Sequence, residues 1–198
     1  MKILFFSDSH GSTEALGNLT LRIASEKPDL IVMLGDALYH GPRNALPGKY
    51  DAKKAAEMLN IYKKKIIAVR GNCDSEVDQM MLEYPIMSDY STVWADGQRF
   101  FLTHGHIWNG GNVPPVTAGT ILAHGHTHIP TLEEKDGLVI FNPGSIAIPK
   151  QENLPSYGVW VITRSENRQS PSGSSGMKYL ISGILSAISS AFSLCAFV

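Results

Sequence analysis

The N-terminal half of the chain alternates short buried strands with amphipathic helices, and this order constrains the fold most strongly. Strand-like apolar runs at residues 3–6, 30–34 and 66–69 are separated by segments 12–25 and 51–62, whose apolar side chains recur at helical spacing. This order predicts a parallel sheet with right-handed crossovers. Polar residues gather just past the carboxyl ends of these strands, at the edge where sites form in open α/β sheets.

From about residue 91 onward, paired strands replace this alternation. Asp96-Gly97 and Asp136-Gly137 each stand between two strand-like runs, which is the pattern of a two-residue hairpin turn. A further short strand at residues 121–123 leads into the histidine-rich segment HGHTH. We therefore predict two facing mixed sheets with helices on the outside.

The composition limits the kind of protein. With 198 residues, 43% hydrophobic and 18% charged, the chain has the size and balance of one globular domain that buries a core. A formal net charge of −1 offers no basic field, so nucleic acid is not expected as a partner. Cys73 and Cys195 make no disulfide framework, and the apolar run behind Met1 is too short for a signal peptide. We expect a cytoplasmic protein.

Seven polar residues at the predicted strand ends carry side chains that bind metals. They are Asp8, His10, Asp36, Asn72, His104, His126 and His128. Carboxylate, amide and imidazole groups without a required thiolate suit Mn, Fe, Co, Ni or Zn better than a Ca or Mg cage. Seven protein ligands are too many for one tetrahedral ion, but they suit two ions that share a bridging carboxylate.

The spacing of these residues supports the same interpretation. Asp8 and His10 leave a strand on one loop, so both side chains can turn toward one ion. The alternation of His126 and His128 predicts that both imidazoles point to the same side of an extended chain. His124 falls outside the ligand pattern and is assigned to support or packing.

The motifs DSH, GD, GNCD, THGH and GHTH follow one another in this order along the chain. Together they resemble the calcineurin-like metallophosphoesterase superfamily, and RGNCDSEVDQM and HGPRNALP resemble more narrowly its bacterial YfcE-type phosphodiesterases. The resemblance covers roughly residues 1–158. It implies a four-layer α/β/β/α sandwich of two mixed sheets flanked by helices.

The resemblance also implies a role for each ligand. Asp8, His10 and His128 would hold a first divalent ion, Asn72, His104 and His126 a second, and Asp36 would bridge them. We expect Mn²⁺ in first place, with Fe, Ni, Co or Zn as alternatives. A hydroxide bridging the two ions would attack the phosphorus of a small phosphate diester.

One position departs from the superfamily pattern. Many members carry a histidine after the Gly-Asn pair, placed to stabilise or protonate the leaving group, whereas this chain has Cys73. A neutral thiol is a poor proton donor, so good leaving groups, and diesters rather than unactivated monoesters, should be favoured. A small buried thiol without a chemical role is the alternative for Cys73. Asp74 is expected to orient His10 or another ligand from behind.

Five further residues are candidates near the same edge. His40, Arg43 and Asn44 lie on one loop and are candidate substrate contacts, with Arg43 suited to a non-bridging phosphate oxygen. The alternative for Arg43 is a solvated surface arginine. Asn142 and Ser145 close a hairpin strand and are expected to shape the ligand loops or simply to stabilise a turn.

The C-terminal end does not fit the superfamily. We divide the chain into a metallophosphoesterase domain at 1–160, a polar Ser/Gly-rich linker at 161–176 and an apolar tail at 177–198. The tail is interpreted as a frame change or fusion scar, a packed helix, or a membrane anchor within its uncharged stretch 179–198. Only an anchor would make a membrane a partner, whereas missing strands would expose an edge and favour a homo-oligomer.

Two other functions are compatible with these motifs. A phosphomonoesterase or phosphatase of the same fold would use the same ligands. A non-catalytic scaffold, such as the retromer subunit that resembles these phosphoesterases, would tend to lose ligands, whereas all seven positions here carry competent side chains. The sequence therefore favours a metal-dependent phosphodiesterase.

Overall fold

A computed structural model describes residues 1–162 and 192–196. Strands alternate with helices up to residue 81, and strands predominate beyond it. The elements are β1 (Lys2–Phe6), α1 (Thr13–Glu26), β2 (Leu30–Met33), α2 (Ala52–Asn60), β3 (Ile66–Ala68), α3 (Glu76–Met81), β4 (Tyr90–Ala95), β5 (Gln98–Thr103), β6 (Ile121–Ala123), β7 (Thr131–Lys135), β8 (Leu138–Asn142), β9 (Ser156–Val161) and β10 (Phe192–Ala196).

Two five-stranded sheets form the body of the domain. The first has the order β10-β9-β1-β2-β3, in which β1, β2 and β3 are parallel while β9 and β10 run antiparallel to their neighbours. The second has the order β4-β5-β6-β8-β7, in which β5, β6 and β8 are parallel and the hairpin partners β4 and β7 lie at the two edges. Both sheets are mixed, as the sequence predicts.

The main core lies between the two sheets. Alternate residues of β1 point to opposite faces, so Ile3 and Phe5 pack with Phe100 and Leu102 of the second sheet. The other apolar residues of β1 face away, toward α1 and α2. Each large apolar side chain buried in this way contributes about 1.5–3 kcal/mol to stability.

The two longer helices begin at side-chain caps, as the sequence predicts for α1. Ser12 Oγ accepts a hydrogen bond from the Ala15 N–H at 3.2 Å, and Asp51 Oδ1 accepts one from the Lys54 N–H at 2.9 Å. Caps of this kind satisfy N–H groups that lack a partner within the helix and contribute about 1 kcal/mol each. They also fix where the loops after β1 and β2 end, and these loops carry several of the predicted ligands.

The prediction of two facing mixed sheets flanked by helices is confirmed, with one difference in the outer layers. On the first sheet, α1 and α2 cover the outer face. On the second, Trp108 and Val116 from the β5–β6 connection pack against Phe101, Leu122 and Ile140. Within the described residues this layer is a loop, because the connection is rich in glycine, proline and turn residues and lacks a helical apolar repeat.

The predicted linker and tail lie mostly outside the described residues. The part of the tail that is described is β10, a strand that pairs antiparallel with β9 rather than a helix. It therefore occupies the edge beside β9. The three interpretations of the rest of the tail fall outside the described residues, among which no helix is long and apolar enough to span a bilayer.

Candidate metal centre

The seven predicted ligands meet where the carboxyl ends of strands from both sheets come together. Four of them follow β1, β2 and β3 of the first sheet, and three follow β5 and β6 of the second. Five are almost completely buried, whereas Asn72 is exposed and His126 is half-buried. The site is therefore enclosed by the two sheets and open on the side of these two residues.

Three of the imidazoles are oriented in the same way. In each, Nδ1 lies 2.5–2.8 Å from a main-chain carbonyl oxygen. The pairs are His10 with Tyr39, His104 with Leu34 and His128 with Ile148. Because a carbonyl oxygen only accepts hydrogen bonds, each Nδ1 carries a proton and donates it. This fixes the ring and leaves Nε2 facing the site, as in histidines that bind metals.

Asp8, His10 and His128 form a first set of side chains. Asp8 Oδ1 lies 3.3 Å from His128 Nε2 and 3.7 Å from His10 Nε2. The two Nε2 atoms are 3.4 Å apart. Donor atoms about 2.0–2.2 Å from a common ion lie roughly 3–3.6 Å from one another, so these spacings suit a shared cation.

Asn72, His104 and His126 form a second set on the open side. His104 Nε2 lies 3.1 Å from Asn72 Oδ1. The His126 ring is edge-on to the His104 ring, with centroids 5.1 Å apart. Each set combines imidazole nitrogen with carboxylate or amide oxygen.

Asp36 stands between the two sets. Its Oδ2 lies 3.7 Å from His10 Nε2 and 3.4 Å from His104 Nε2. The other oxygen, Oδ1, accepts a hydrogen bond from the Cys73 N–H at 2.8 Å. One carboxylate oxygen is therefore held by the main chain while the other faces both sets.

The charges of the site are governed by burial and by the imidazoles. Burial opposes ionisation of Asp8 and Asp36, but the electrostatic interactions of Asp8 with His128 and of Asp36 with His104 outweigh it and lower the pKa of each carboxyl. Burial alone would lower the pKa of His104, but the hydrogen bond to Asp36 and the nearby carboxylate charges raise it to about 9. Burial and the charge of His104 lower the pKa of His126 to about 4. The two carboxylates thus stay ionised and attract a cation.

The arrangement fits divalent cations. Asp8 Oδ1 is buried and accepts no hydrogen bond of regular geometry. The Nε2 atoms of His10 and His128 face each other 3.4 Å apart, and two neutral rings that donate through Nδ1 would bring two lone pairs together there. Both ring nitrogens of His104 face acceptor oxygens, so in the absence of a cation the ring satisfies both only when it is protonated. Cations bound among these atoms would accept their free lone pairs. The carboxylate and imidazole atoms of Asp8, Asp36, His10, His104 and His128 lie close enough to hold such cations.

Five of the seven residues have left-handed backbone conformations. The values of φ are +57° at Asp8, +45° at His10, +55° at Asp36, +68° at His126 and +62° at His128. Such conformations cost about 1 kcal/mol or more for residues other than glycine and cluster at functional sites. Because β6 ends before His126, the expectation of strand alternation for His126 and His128 is wrong. His128 instead faces the first set and His126 the second.

Asp74 supports the loop of Asp36 rather than an imidazole. Its Oδ2 accepts hydrogen bonds from the N–H groups of Asp36 and Gly71 at 2.9 and 2.7 Å, and its Oδ1 accepts one from Ala37 at 2.8 Å. Burial raises the pKa of this carboxyl to about 6. The sequence suggests His10 or another ligand as the partner; the main chain of Tyr39 holds the His10 ring, and Asp74 instead binds the main chain of the predicted ligand Asp36.

Asn142 and Ser145 hold the ligand loops through hydrogen bonds. Asn142 Nδ2 donates to the Gly125 carbonyl oxygen at 2.8 Å and to Thr127 Oγ1 at 2.9 Å, on either side of His126. Ser145 Oγ donates to the main-chain carbonyl oxygen of Asp8 at 2.9 Å. Both residues therefore act on the loops, not on the open side of the site.

Close backbone approach at two glycines makes room for the carboxylates. A Cβ atom on Gly71 would overlap the carboxylate of Asp36, and one on Gly125 would lie 2.9 Å from Asp8 Oδ2. His124 is buried behind this second contact, with its Nδ1 3.1 Å from the Gly125 carbonyl oxygen. It lies in a packing position.

A cavity of about 490 Å³ opens beside the two sets. Its lining includes Asp36, Asn72, His126 and His128, together with Arg43, Asn44, Cys73, Thr127 and Lys150. Of the candidate substrate contacts, Arg43 and Asn44 are thus at the site. His40 is not in the lining, and its ring packs edge-on between Tyr39 and Tyr50.

Sequence reasoning missed Lys150 and Thr127. Thr127 lies inside the histidine motif, so its position was a signal that could have been used. Lys150 has no motif of its own and reaches the cavity because its N–H donates to the His128 carbonyl oxygen at 3.3 Å. The position of Lys150 in the cavity lining is therefore evident only from the path of the chain after β8.

Cys73 reaches the cavity without a charge. Asn72 Nδ2 lies 3.2 Å from its Sγ, and its N–H is bonded to Asp36. Burial and the negative charge of Asp36 raise the pKa of the thiol to about 12. The group is therefore protonated at physiological pH and provides no cationic charge.

Comparison with known proteins identifies the family. The family model of the calcineurin-like phosphoesterase superfamily domain matches residues 1–165. The chain belongs to this superfamily. It is 48% identical over 159 residues to the phosphodiesterase YfcE of Escherichia coli K12, covering 80% of this chain and 86% of that protein. The solved structure of the E. coli phosphoesterase Yfce covers 80% of this chain and 87% of its own, with a TM-score of 0.79.

Two more distant proteins are also similar to this chain. The phosphodiesterase MJ0936 of Methanocaldococcus jannaschii is 26% identical over 177 residues, which cover 85% of this chain and 98% of that protein. Zinc-bound Vps29 from Entamoeba histolytica is 18% identical, with a TM-score of 0.53 over 82% of this chain and 86% of its own. At that identity the likeness shows the fold alone. The superfamily implies divalent metal ions as cofactors and phosphoesters as substrates.

Proposed function

We propose that this chain is a phosphodiesterase that uses two divalent metal ions, with Mn²⁺ in first place and Fe, Ni, Co or Zn as alternatives. Asp8, His10 and His128 would hold one ion, Asn72, His104 and His126 the other, and Asp36 both. The observation that carries the proposal is the position of Asp36 Oδ2, at 3.7 and 3.4 Å from a histidine nitrogen of each set. The activity named for YfcE, at 48% identity, supports a diester as substrate.

When bound, such ions neutralise phosphoryl charge and lower the pKa of a water molecule. The side chains of the protein supply the negative charge that holds the ions, the oriented imidazoles and the contacts to the substrate. Asp8 and Asp36 stay ionised, and the carbonyl-bound imidazoles are oriented before substrate arrives, which avoids reorganisation during the reaction. Arg43 and Asn44 in the cavity lining would contact the substrate.

The thiol of Cys73 supports the preference for diesters with good leaving groups. It lines the cavity, and its raised pKa of about 12 keeps it neutral and a weak acid. A poor alkoxide leaving group would therefore receive no proton from this position. We propose a small phosphate diester as the substrate and, from the low cysteine content, a cytoplasmic location.

Metal analysis combined with paired substrates tests the proposal. Elemental analysis should find about two divalent ions per chain after incubation with Mn²⁺. Bis(4-nitrophenyl) phosphate should be hydrolysed faster than 4-nitrophenyl phosphate, and chelation should abolish the activity until Mn²⁺ is restored. A preference for the monoester would favour the phosphatase alternative. Metal binding without turnover of either ester would favour the scaffold.

A further inference from the structure

Two cationic side chains line the cavity, one on the loop that also carries Asp36 and one on a segment without predicted ligands. Arg43 comes from the connection after β2, and Lys150 from the connection after β8. Both are exposed, and within the described residues neither takes part in an ion pair. We call Arg43 and Lys150 the cationic rim of the cavity.

Lys150 is held in place by its main chain. Its N–H donates to the His128 carbonyl oxygen at 3.3 Å. Its own carbonyl oxygen accepts hydrogen bonds from the N–H and Nδ2 of Asn153, at 3.2 and 2.7 Å. The two residues between them, Gln151 and Glu152, have φ of +54° and +60°, as in a type I′ turn. A tight turn anchored to a ligand loop therefore presents this lysine to the cavity.

Arg43 is attached to the same part of the site from the other side. The Tyr39 carbonyl oxygen accepts the hydrogen bond from His10 Nδ1 at 2.8 Å. A few residues on, Asn44 folds back, with its Nδ2 donating to the His40 carbonyl oxygen at 2.8 Å. The segment that carries Arg43 is thus fixed to His10, just as Lys150 is fixed to His128.

The rest of the lining is polar and holds little negative charge. Asp36 is the one acidic side chain among the described residues that line the cavity, and it faces the two ligand sets. Asn44 and Thr127 add hydrogen-bonding groups, while Pro42 offers a small apolar surface. An uncharged apolar substituent would gain little from this lining.

We infer that the substrate carries a second anionic group, a carboxylate or a phosphate, which binds between Arg43 and Lys150. The inference rests on the proposed diesterase function. Asp8, Asp36, one diester phosphate and a hydroxide together match the charge of two divalent ions, so the positive charge of the rim is left uncompensated. A cavity of about 490 Å³ has room for a diester whose second alcohol ends in such a group.

A pair of diesters with one leaving group tests the inference. Butyl 4-nitrophenyl phosphate and 3-carboxypropyl 4-nitrophenyl phosphate differ only in a methyl group and a carboxylate. For the Mn²⁺-loaded wild type we expect kcat/KM to favour the carboxylate ester by about three- to tenfold, the range of a partly solvated charge contact. Lys150→Gln should bring this ratio close to one, and Lys150→Glu should bring it below one.

Lys53→Gln is the matched control, because Lys53 is exposed on α2 and is not in the cavity lining. It should leave the ratio unchanged. Equal kcat/KM for the two esters in the wild type would overturn the inference while leaving the diesterase function in place. An equal loss of preference in Lys53→Gln would also overturn it, because the effect would then come from net charge.

Calorimetry provides a readout that does not depend on turnover. 4-Phosphonobutanoate should bind the Mn²⁺-loaded chain more tightly than butylphosphonate by a similar factor, and Lys150→Gln should remove the difference. If neither ester is hydrolysed, the proposed function fails and this binding difference still decides the inference. Equal binding of the two phosphonates to the wild type would contradict it.

Discussion

The Cys73 N–H donates a hydrogen bond of 2.8 Å to Asp36 Oδ1. This bond leaves Asp36 Oδ2 as the oxygen that faces His10 on one side and His104 on the other. The main chain of the loop after β3 thus orients a carboxylate that lies on the loop after β2. One carboxylate oxygen is therefore turned toward both sets of side chains, as the proposed bridging role requires.

Asp36→Asn tests this bridging role. The substitution retains the shape of the side chain and the acceptor for Cys73 but removes the negative charge between the two sets. We expect diester hydrolysis to fall by at least about a hundredfold and bound Mn²⁺ to fall to about one ion per chain or less. Initial rates and elemental analysis measure both effects.

Asp29→Asn is the control for this experiment, because Asp29 is exposed and contacts the main chain of Lys2 outside the site. It should keep wild-type rates and metal content. Wild-type turnover by the Asp36→Asn variant would show that the assigned centre is wrong.

Cys73→His should restore a proton donor where the superfamily commonly has one. Rates for diesters with a 4-nitrophenolate leaving group should change by less than about threefold, because that group leaves without a proton. Rates for alkoxide leaving groups should rise by about a hundredfold. The dependence of log kcat/KM on leaving-group pKa should become shallower, while Cys73→Ser should keep the steep wild-type slope. Equal slopes in all three proteins would count against a chemical role for this position.

Asp74 gives a prediction about pH in the chelated, metal-free protein. Its pKa is about 6 in the folded chain, whereas an unperturbed aspartate has a pKa of 3.8, so the ionised form is disfavoured by folding. This cost is absent below about pH 4 and complete above about pH 6, where it amounts to about 3 kcal/mol. The unfolding free energy of the wild type relative to Asp74→Asn should therefore fall as the pH rises across this interval.

Urea unfolding in EDTA at pH 4, 5 and 6.5 measures this difference. Asn18→Ala, an exposed change on α1 that adds or removes no titrating group, should give a difference that does not vary with pH. A flat curve for Asp74→Asn as well would mean that this carboxyl has the same pKa in the folded and unfolded chain.

A chain that ends at residue 164 separates the site from β10. All seven predicted ligands precede this point, so its metal content should equal that of the full chain. Removing β10 leaves β9 as an unpaired edge, so stability should fall and self-association should rise with concentration. Size-exclusion chromatography and elemental analysis test the two halves of this prediction. Loss of bound metal would contradict the expectation of equal metal content. Stability and self-association equal to those of the full chain would contradict the expected role of β10.

Ser193→Pro provides a full-length counterpart to the truncation. Ser193 pairs with Val159 in the antiparallel ladder, and proline removes an N–H there. The variant should resemble the truncated chain in stability and association. Wild-type behaviour would show that pairing along this edge contributes little.

Local patterns predict the scaffold well because each depends on neighbouring residues. The apolar run at 121–123 coincides with β6, and Asp96-Gly97 and Asp136-Gly137 both form hairpin turns with positive φ at each residue. The cap at Ser12 also follows from the sequence. The loop over the outer face of the second sheet lacks such a repeat, so its packing through Trp108 depends on tertiary contacts.

The details of the site depend on contacts between distant segments, which no local pattern specifies. The carbonyl partners of the three imidazoles lie 20 to 70 positions away in the chain. The hydrogen bond from the Ala37 N–H to Asp74 and the position of Lys150 in the cavity lining also depend on segments that are distant in the chain. His126 and His128 diverge because their backbone turns left-handed, and histidine itself gives no sign of this conformation.

The candidate ligands are delivered from both sheets, and this has a mechanical consequence. Ions bound among them would cross-link the two sheets, because any sliding of one sheet against the other would pull the donor atoms away from the ions. Rigidity of the molecule and retention of its cofactors would then depend on one another. A medium that removes the cations would therefore make the fold less rigid and would also abolish its activity.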